Sequence, residues 1–412
     1  MKSQIKSFKT IFRTDTVKDT GIVLTGQVLA TIFSAIFFFC IARALGPAKL
    51  GIYTTVVAIF LILTDTLDLA INSSIIKFIS SPNKATYLKF AFLLKLFIGS
   101  SLLILLFAGA RFYSNLLHQD IESPLRIASV LILATFLYRF SKSVFQGEKK
   151  FSTDAILDIL LSFSRLLIVL VLIFFSKLTI NSIFIVHIIS TLGVFFIGIN
   201  KISLDFWQAK IEKSIAKKFF SFQGWLSVGF ILAAIHSRVD ILILMRFSGP
   251  EMVGFYQAGY RFFMPIIQFS SVLSTVFAPR FSGFASEDQA RIYLKKTILL
   301  SSFLSLLVLI FIFFIPAVVN IFYGSAFQNS IPPSKILALG FSGFVFGIPF
   351  ISYLIYRSGK TFFFAFLNLI QLILIVSLDL ILIPKYGVSG AAWATAITLW
   401  LVNAGAAIYV LK

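Results

Sequence analysis

Cysteine is almost absent from this sequence: Cys40 stands alone in 412 residues. An internal disulfide and a thiolate metal cluster are both excluded, and its place within an apolar run makes Cys40 a small core side chain. There are only three histidines. His187 and His236 fall in apolar segments without a second ligand at helical spacing and His118 falls in a loop, so no metal centre is expected. Charge is scarce as well, 13% against the quarter usual in soluble domains. Acidic side chains are the scarcer of the two signs, 16 against 36 Lys and Arg, for a net +20.

What fills the chain is apolar: 58% hydrophobic and 16% aromatic residues. A water-soluble fold of this size cannot hide so much apolar surface. Runs of about 18 residues or more recur, each long enough to cross roughly 30 Å of hydrocarbon as a helix. Backbone polar groups in lipid must be satisfied within their own segment, so helices are expected and barrel strands are not. The reading is an all-α integral membrane protein of about 12 transmembrane helices.

Those spans fall at 20–42, 50–79, 87–110, 122–145, 153–176 and 180–200, then 219–246, 251–278, 292–315, 333–357, 361–383 and 388–411. Lys and Arg gather in alternate short loops, so the excess positive charge sets orientation and is not a nucleic-acid footprint. Both termini are expected in the cytoplasm. The basic start, with Lys2, Lys6, Lys9, Arg13 and Lys18, reads as a retained cytoplasmic tail over 1–19. Residues 20–200 and 219–412 form two six-helix bundles, joined by a basic cytoplasmic linker over 201–218.

An internal repeat supports that division. A shift of 203 residues, without a gap, aligns Gly21 with Gly224, Gly26 with Gly229, Arg43 with Arg246 and Tyr53 with Tyr256. It also aligns Gly46 with Gly249, Pro47 with Pro250 and Gly51 with Gly254. Composition could supply matching Leu or Ala, but not Arg, Gly, Pro, Gly and Tyr at one spacing. Each Gly-Pro pair ends one span and the next begins within a few residues, giving a tight outer-side hairpin in each half. Six spans separate the copies, so the halves share an orientation and are expected to relate by a pseudo-twofold along the membrane normal, with a central cavity between them.

Ionisable residues within spans are costly and default to a functional reading. Arg165 and Arg261 fall near mid-depth, Arg238 nearer the outer side and Lys95 nearer the inner side. Together they suit a basic, water-filled passage for an anionic cargo. The competing reading is structural: pairing with Asp154, Asp158 or Asp240, and for Lys95 snorkelling to the interface. Asp65, Asp158, Asp240 and Asp379 are candidates for a coupling proton or sodium ion, or for balancing the arginines.

Enzyme signatures are missing. Ser358-Gly359-Lys360-Thr361 ends like a phosphate-binding loop, but Leu354 stands where its first Gly belongs. Glu287-Asp288 reads as a solvated pair. No cofactor is expected, and the chain is read as a non-enzyme.

Several motifs carry a family likeness: Ala42-Arg43-Ala44-Leu45-Gly46 with Gly51 and Tyr53, Arg238 with Asp240, and Gly254, Tyr256, Ala258 and Arg261. Pro384-Lys385-Tyr386-Gly387 followed by Gly390-Ala391-Ala392 extends it to the carboxyl end. The chain resembles the oligosaccharide flippases, the Wzx-type O-antigen and capsule-unit transporters, within the exporter superfamily that also holds multidrug extruders and the peptidoglycan-precursor flippase. The resemblance implies a V of two bundles in the bacterial cytoplasmic membrane. It implies alternating access carrying an undecaprenyl-pyrophosphate-linked oligosaccharide to the outer leaflet. It implies membrane lipids as surroundings, a polysaccharide polymerase and chain-length machinery as partners, and a working monomer. A peptidoglycan-precursor flippase or multidrug antiporter of the same fold is the nearest alternative. A membrane-embedded polymerase or glycosyltransferase is the alternative of another class, which a sizeable outer loop would favour and the half-to-half repeat disfavours.

Overall fold

A computed structural model describes residues 15–210, 218–219, 227–229, 231–284, 286–358 and 361–411. The first 14 residues of the expected tail, 211–217 of the expected linker, Gly224 of the repeat and Gly359-Lys360 lie outside them. The elements are α1 Asp15–Phe78, α2 Lys84–Leu117, α3 Glu122–Gly147, α4 Phe151–Phe174 and α5 Ile180–Ile199, then α6 Val239–Arg261, α7 Met264–Gly283, α8 Glu287–Phe322, α9 Ile331–Tyr356 and α10 Thr361–Leu411. Two short 3₁₀ turns, Leu204–Gln208 and Ser325–Ser330, complete the set, and no strand occurs among the described residues.

Burial runs opposite to that of a soluble protein. Phe174 and Phe313 are more than 80% exposed, whereas Lys95, Asp68 and Asp379 are completely buried. Apolar side chains turned outward on helices this long require hydrocarbon around them. Nine apolar segments among the described residues are long enough to cross a bilayer. Two of these, Gly21–Thr66 and Phe366–Leu411, run for 46 residues each, about twice a single crossing. Each is broken at a glycine that leaves helical geometry, Gly46 in α1 (φ 74°, ψ 173°) and Gly387 in α10 (φ 54°, ψ −130°). The expected span over 251–278 is split between the end of α6 and α7. Phe262 and Phe263 donate to carbonyls three residues back, and Pro265 has no N–H with which to continue the ladder.

The chain forms two compact units. Met1–Ala44, Leu63–Ala110 and Glu122–Ser227 make unit 1; Leu45–Ile62, Arg111–Ile121 and Val228–Lys412 make unit 2. In unit 1, α3 packs on α5, and a core of Ile71, Ile75, Tyr87, Phe140, Phe145 and Leu157 is sealed by their burial. The capping box of α5 fixes where that helix begins, with Thr179 Oγ1 accepting from the Ser182 N–H and Ser182 Oγ from the Thr179 N–H. In unit 2, α9 packs on α10 and α8. Gly343 makes the α9–α10 approach possible, since a Cβ there would meet the Trp400 ring at 2.6 Å. Small residues at such a seam let membrane helices pack backbone to backbone.

The repeated Gly-Pro elements meet one another inside unit 2. A Cβ on Gly51 would lie 1.7 Å from the Pro250 carbonyl oxygen, and a Cβ on Gly254 would lie 2.0 Å from that of Pro47. The contact is reciprocal between positions that the 203-residue shift pairs. Gly249 repeats the backbone of Gly46, at φ 83°, ψ 177°, a region open essentially to glycine alone.

Candidate functional site

Unit 1 gathers its charge between α1, α2 and α3. Lys95 lies wholly buried: its ammonium pairs with Asp68, donates to Asn72 Oδ1 at 2.7 Å and reaches the Phe136 carbonyl at 3.4 Å. Snorkelling, one reading of Lys95 from sequence, is therefore wrong, because the side chain turns inward to a carboxylate. Asp68 also accepts from Asn72 at 3.1 Å and from Arg139 at 3.3 Å. Arg139 in turn stands 2.8 Å from Asp65. Two acids and two bases so arranged cancel, the condition for keeping charge at this depth.

Asp154 and Asp158 find a partner that sequence reasoning missed, Lys142. Asp158 pairs with Lys142 of α3 and accepts from the Tyr138 hydroxyl at 2.6 Å; Asp154 stands 3.6 Å from Lys142 and accepts from Gln146 at 3.0 Å. Arg165 donates to Thr191 Oγ1 at 2.8 Å, with His187 close enough to feel its charge. Arg139 and Lys142 had one sequence signal: α3 is the least apolar of the nine apolar segments among the described residues, which marks a helix with a polar face turned inward.

In unit 2, Arg238 stands in the turn just before α6 and donates backward, to Ser237 Oγ at 3.0 Å and the Ala234 carbonyl at 3.4 Å. Two residues on, Asp240 accepts the Tyr256 hydroxyl at 2.5 Å and the Ile241 N–H at 2.8 Å; Tyr256 also bonds Thr395 at 2.9 Å. Asp379 is buried, has no hydrogen-bond partner among the described residues, and feels the charge of Asp240. Asp240 lines a cavity of about 190 Å³ together with His236, Tyr260, Gln371, Thr395 and Thr398. His236 bonds Asn368 Oδ1 at 3.0 Å. Arg261 ends α6, half-buried, with Tyr53 and Tyr323 in electrostatic range.

The chemistry differs between the units. Unit 1 holds a neutralised mixed cluster, and unit 2 holds two buried carboxylates in electrostatic range of each other, one of which, Asp240, lines a cavity. Two neighbouring carboxylates at membrane depth repel each other when both are ionised, and a proton or cation held between them relieves that cost.

A putative O-antigen transporter of Shigella flexneri, so described, is 23% identical over 425 residues, covering 95% of this chain and 99% of its own. The fold is shared with the lipid II flippase MurJ in an inward closed conformation, at a TM-score of 0.79 and 18% identity, over 95% of this chain and 87% of that one. It is equally shared with an inward-facing multidrug resistance MATE transporter of the MOP superfamily, at a TM-score of 0.79 and 13% identity, over 93% and 94%. The family model described as polysaccharide biosynthesis protein matches residues 16–285, two-thirds of the chain, and the chain belongs to that family.

Proposed function

We propose that this multi-pass membrane protein is a Wzx-type flippase, carrying a polyprenyl-pyrophosphate-linked oligosaccharide from the cytoplasmic to the outer leaflet by alternating access. The observation that carries the reading is the family match over 16–285, joined by full-length similarity to an O-antigen transporter. Physics supports it. A sugar-pyrophosphate head cannot cross hydrocarbon unaided, since an isolated charge there costs tens of kcal/mol by Born estimates. Arg165, Arg238 and Arg261 offer planar forks that take phosphate oxygens two at a time.

Asp240 and Asp379 are the proposed seat of the coupling cation. A cation entering with the membrane potential brings about 2.3 kcal/mol per elementary charge per 100 mV, a source of work for a chain without a nucleotide motif. The same reading takes residues 20–200 and 219–412 as repeated halves with both termini cytoplasmic in the bacterial inner membrane. The aligned Gly-Pro turns and the loop bias of Lys and Arg support it.

Proteoliposomes loaded with a labelled lipid-linked oligosaccharide test the proposal. The parent protein moves the label to the opposite leaflet; Arg165→Ala, Arg238→Ala and Arg261→Ala insert but stop transport, and Lys at each position keeps part of it. Normal transport by all three Ala variants refutes the basic passage. Transport of lipid II or of a cationic drug in place of the oligosaccharide selects another member of the fold.

A further inference from the structure

The cluster of unit 1 has an inside and an outside. Lys95 and Asp68 are fully buried, Asp65 is 11% exposed and Arg139 is 23% exposed. Charge is thus layered, with a buried pair beneath and one guanidinium reaching the surface. Arg139 stands eight residues before the end of α3 at Gly147, about 12 Å into the helix. A guanidinium exposed at that depth meets water or a polar ligand, because acyl chains would charge kilocalories for it.

How Arg139 is held matters more. Both of its contacts with carboxylates, Asp68 Oδ2 at 3.3 Å and Asp65 Oδ1 at 2.8 Å, are made by Nη1 alone. Its Nε and Nη2 have no partner among the described residues. Those two donors make one edge of the fork, the edge that binds two oxygens of a phosphate side by side. Asp68 cannot follow Arg139 outward, being tied beneath to Lys95 and Asn72. Asp65 is the more exposed of the two acids and competes for the same cation.

We infer that Arg139 is a phosphate-binding residue of unit 1, aimed by Asp68 and held in check by Asp65, whose carboxylate occupies the guanidinium until an anionic head displaces it. The ligand class is the pyrophosphate of a polyprenyl-linked sugar, and the inference deepens the flippase reading, on which it rests. Sequence reasoning placed no cargo contact on α3. Asp65 here is not a coupling-ion site: it is a placeholder that spares Arg139 a bare charge between cargoes.

The structural alternative, a charge cluster that only stabilises the helices, differs in sign for one variant. Removing the competitor with Asp65→Asn tightens anion binding if Arg139 receives the phosphate, whereas a merely structural cluster loses stability and gains no affinity. Native mass spectrometry of the purified full-length protein with polyprenyl pyrophosphate and with the neutral polyprenol measures it. The expected results are preference for the pyrophosphate by the parent, roughly tenfold tighter binding by Asp65→Asn, equal to ~1.4 kcal/mol, and weaker binding by Arg139→Lys, which lacks the fork. Asp65→Asn combined with Arg139→Gln keeps Lys95 and Asp68 balanced, so it folds with near-parental melting while losing the preference. Unchanged or weaker binding by Asp65→Asn, or an intact preference in the double variant, overturns the inference. Oligosaccharide transport by the parent in proteoliposomes alongside such a failure sinks Arg139 alone; absence of both transport and pyrophosphate binding sinks the flippase reading as well.

Discussion

Gly51→Ala is the substitution whose consequence the structure dictates most directly. Its Cβ would sit 1.7 Å from the Pro250 carbonyl oxygen, 2.7 Å from the carbonyl carbon and 3.0 Å from the Gly254 nitrogen, where ordinary van der Waals contact starts at 3.4 Å. The obstructing atoms are backbone, so no rotamer can swing clear. The two segments must part by roughly 1.5 Å, and overpacking of this kind costs about 1–3 kcal/mol. An energy of that size shifts a two-state equilibrium by about 5- to 150-fold. Gly254→Ala should do the same through Pro47, and the double variant should cost less than the two together, because one parting makes room for both methyl groups. Gly21→Ala is the control, with nothing within 4 Å of its Cβ. In a Cys40→Ala background, cysteines at 48 and 251 report the crossing as disulfide yield, and transport reports its use. Cross-linking falls and transport slows in the Gly51 and Gly254 variants and not in the Gly21 variant. Parental yield and rate in Gly51→Ala would refute the close crossing, as would an equal loss in the Gly21 control.

The turns beside that crossing are expected to be as intolerant, for a conformational reason. Gly46→Ala and Gly249→Ala force an L side chain to φ 74° and 83° with ψ near 180°, costing about 1–3 kcal/mol each, seen as a lower melting temperature in detergent. Asp379→Asn removes one of two interacting carboxylates, so transport should lose its dependence on an imposed proton or sodium gradient while pyrophosphate-lipid binding persists; an unchanged gradient dependence argues against a cation there. Glu148, in the turn between α3 and α4, is pushed up by burial, but hydrogen bonds and charge from Lys150 and Lys84 win and leave its carboxyl below the ordinary 4.5. Its contribution is therefore present above about pH 4.5 and lost as pH falls through the depressed value. Glu148→Gln should flatten the acid limb of a melting-temperature profile, and a parental limb would show the pair to be idle.

Fold class was readable because it rests on composition and run length, which need no tertiary information: a helix with Phe313 and Phe174 turned outward can exist only in lipid. The turns at Gly46 and Gly249 were readable because Gly-Pro is local chemistry repeated at one spacing. That Gly51 and Gly254 touch each other's neighbours was not, since a contact across some 200 residues is set by packing. The charges divide the same way. Asp65, Lys95 and Arg165 stood out singly, as ionisable residues inside apolar runs must. Their partners did not, because pairing depends on which helix lies alongside: Asp158 goes to Lys142 of α3, though Arg165 shares its own helix face.

That dependence bears on function. A charge balanced by a partner from another helix is a charge whose balance changes when helices move, and alternating access is a movement of helices. In unit 1 the pairs Lys95–Asp68, Arg139–Asp65 and Lys142–Asp158 each join different elements of the chain. In unit 2 Asp240 is bonded within α6 by Tyr256 and through it to Thr395 of α10, while Asp379, also on α10, has only electrostatic company. A cation shared by Asp240 and Asp379 would tie α6 to α10 as Lys95 ties α2 to α1. If so, loading that cation should slow hydrogen exchange in both α6 and α10. Protection confined to one helix, or none, would separate cation binding from helix movement.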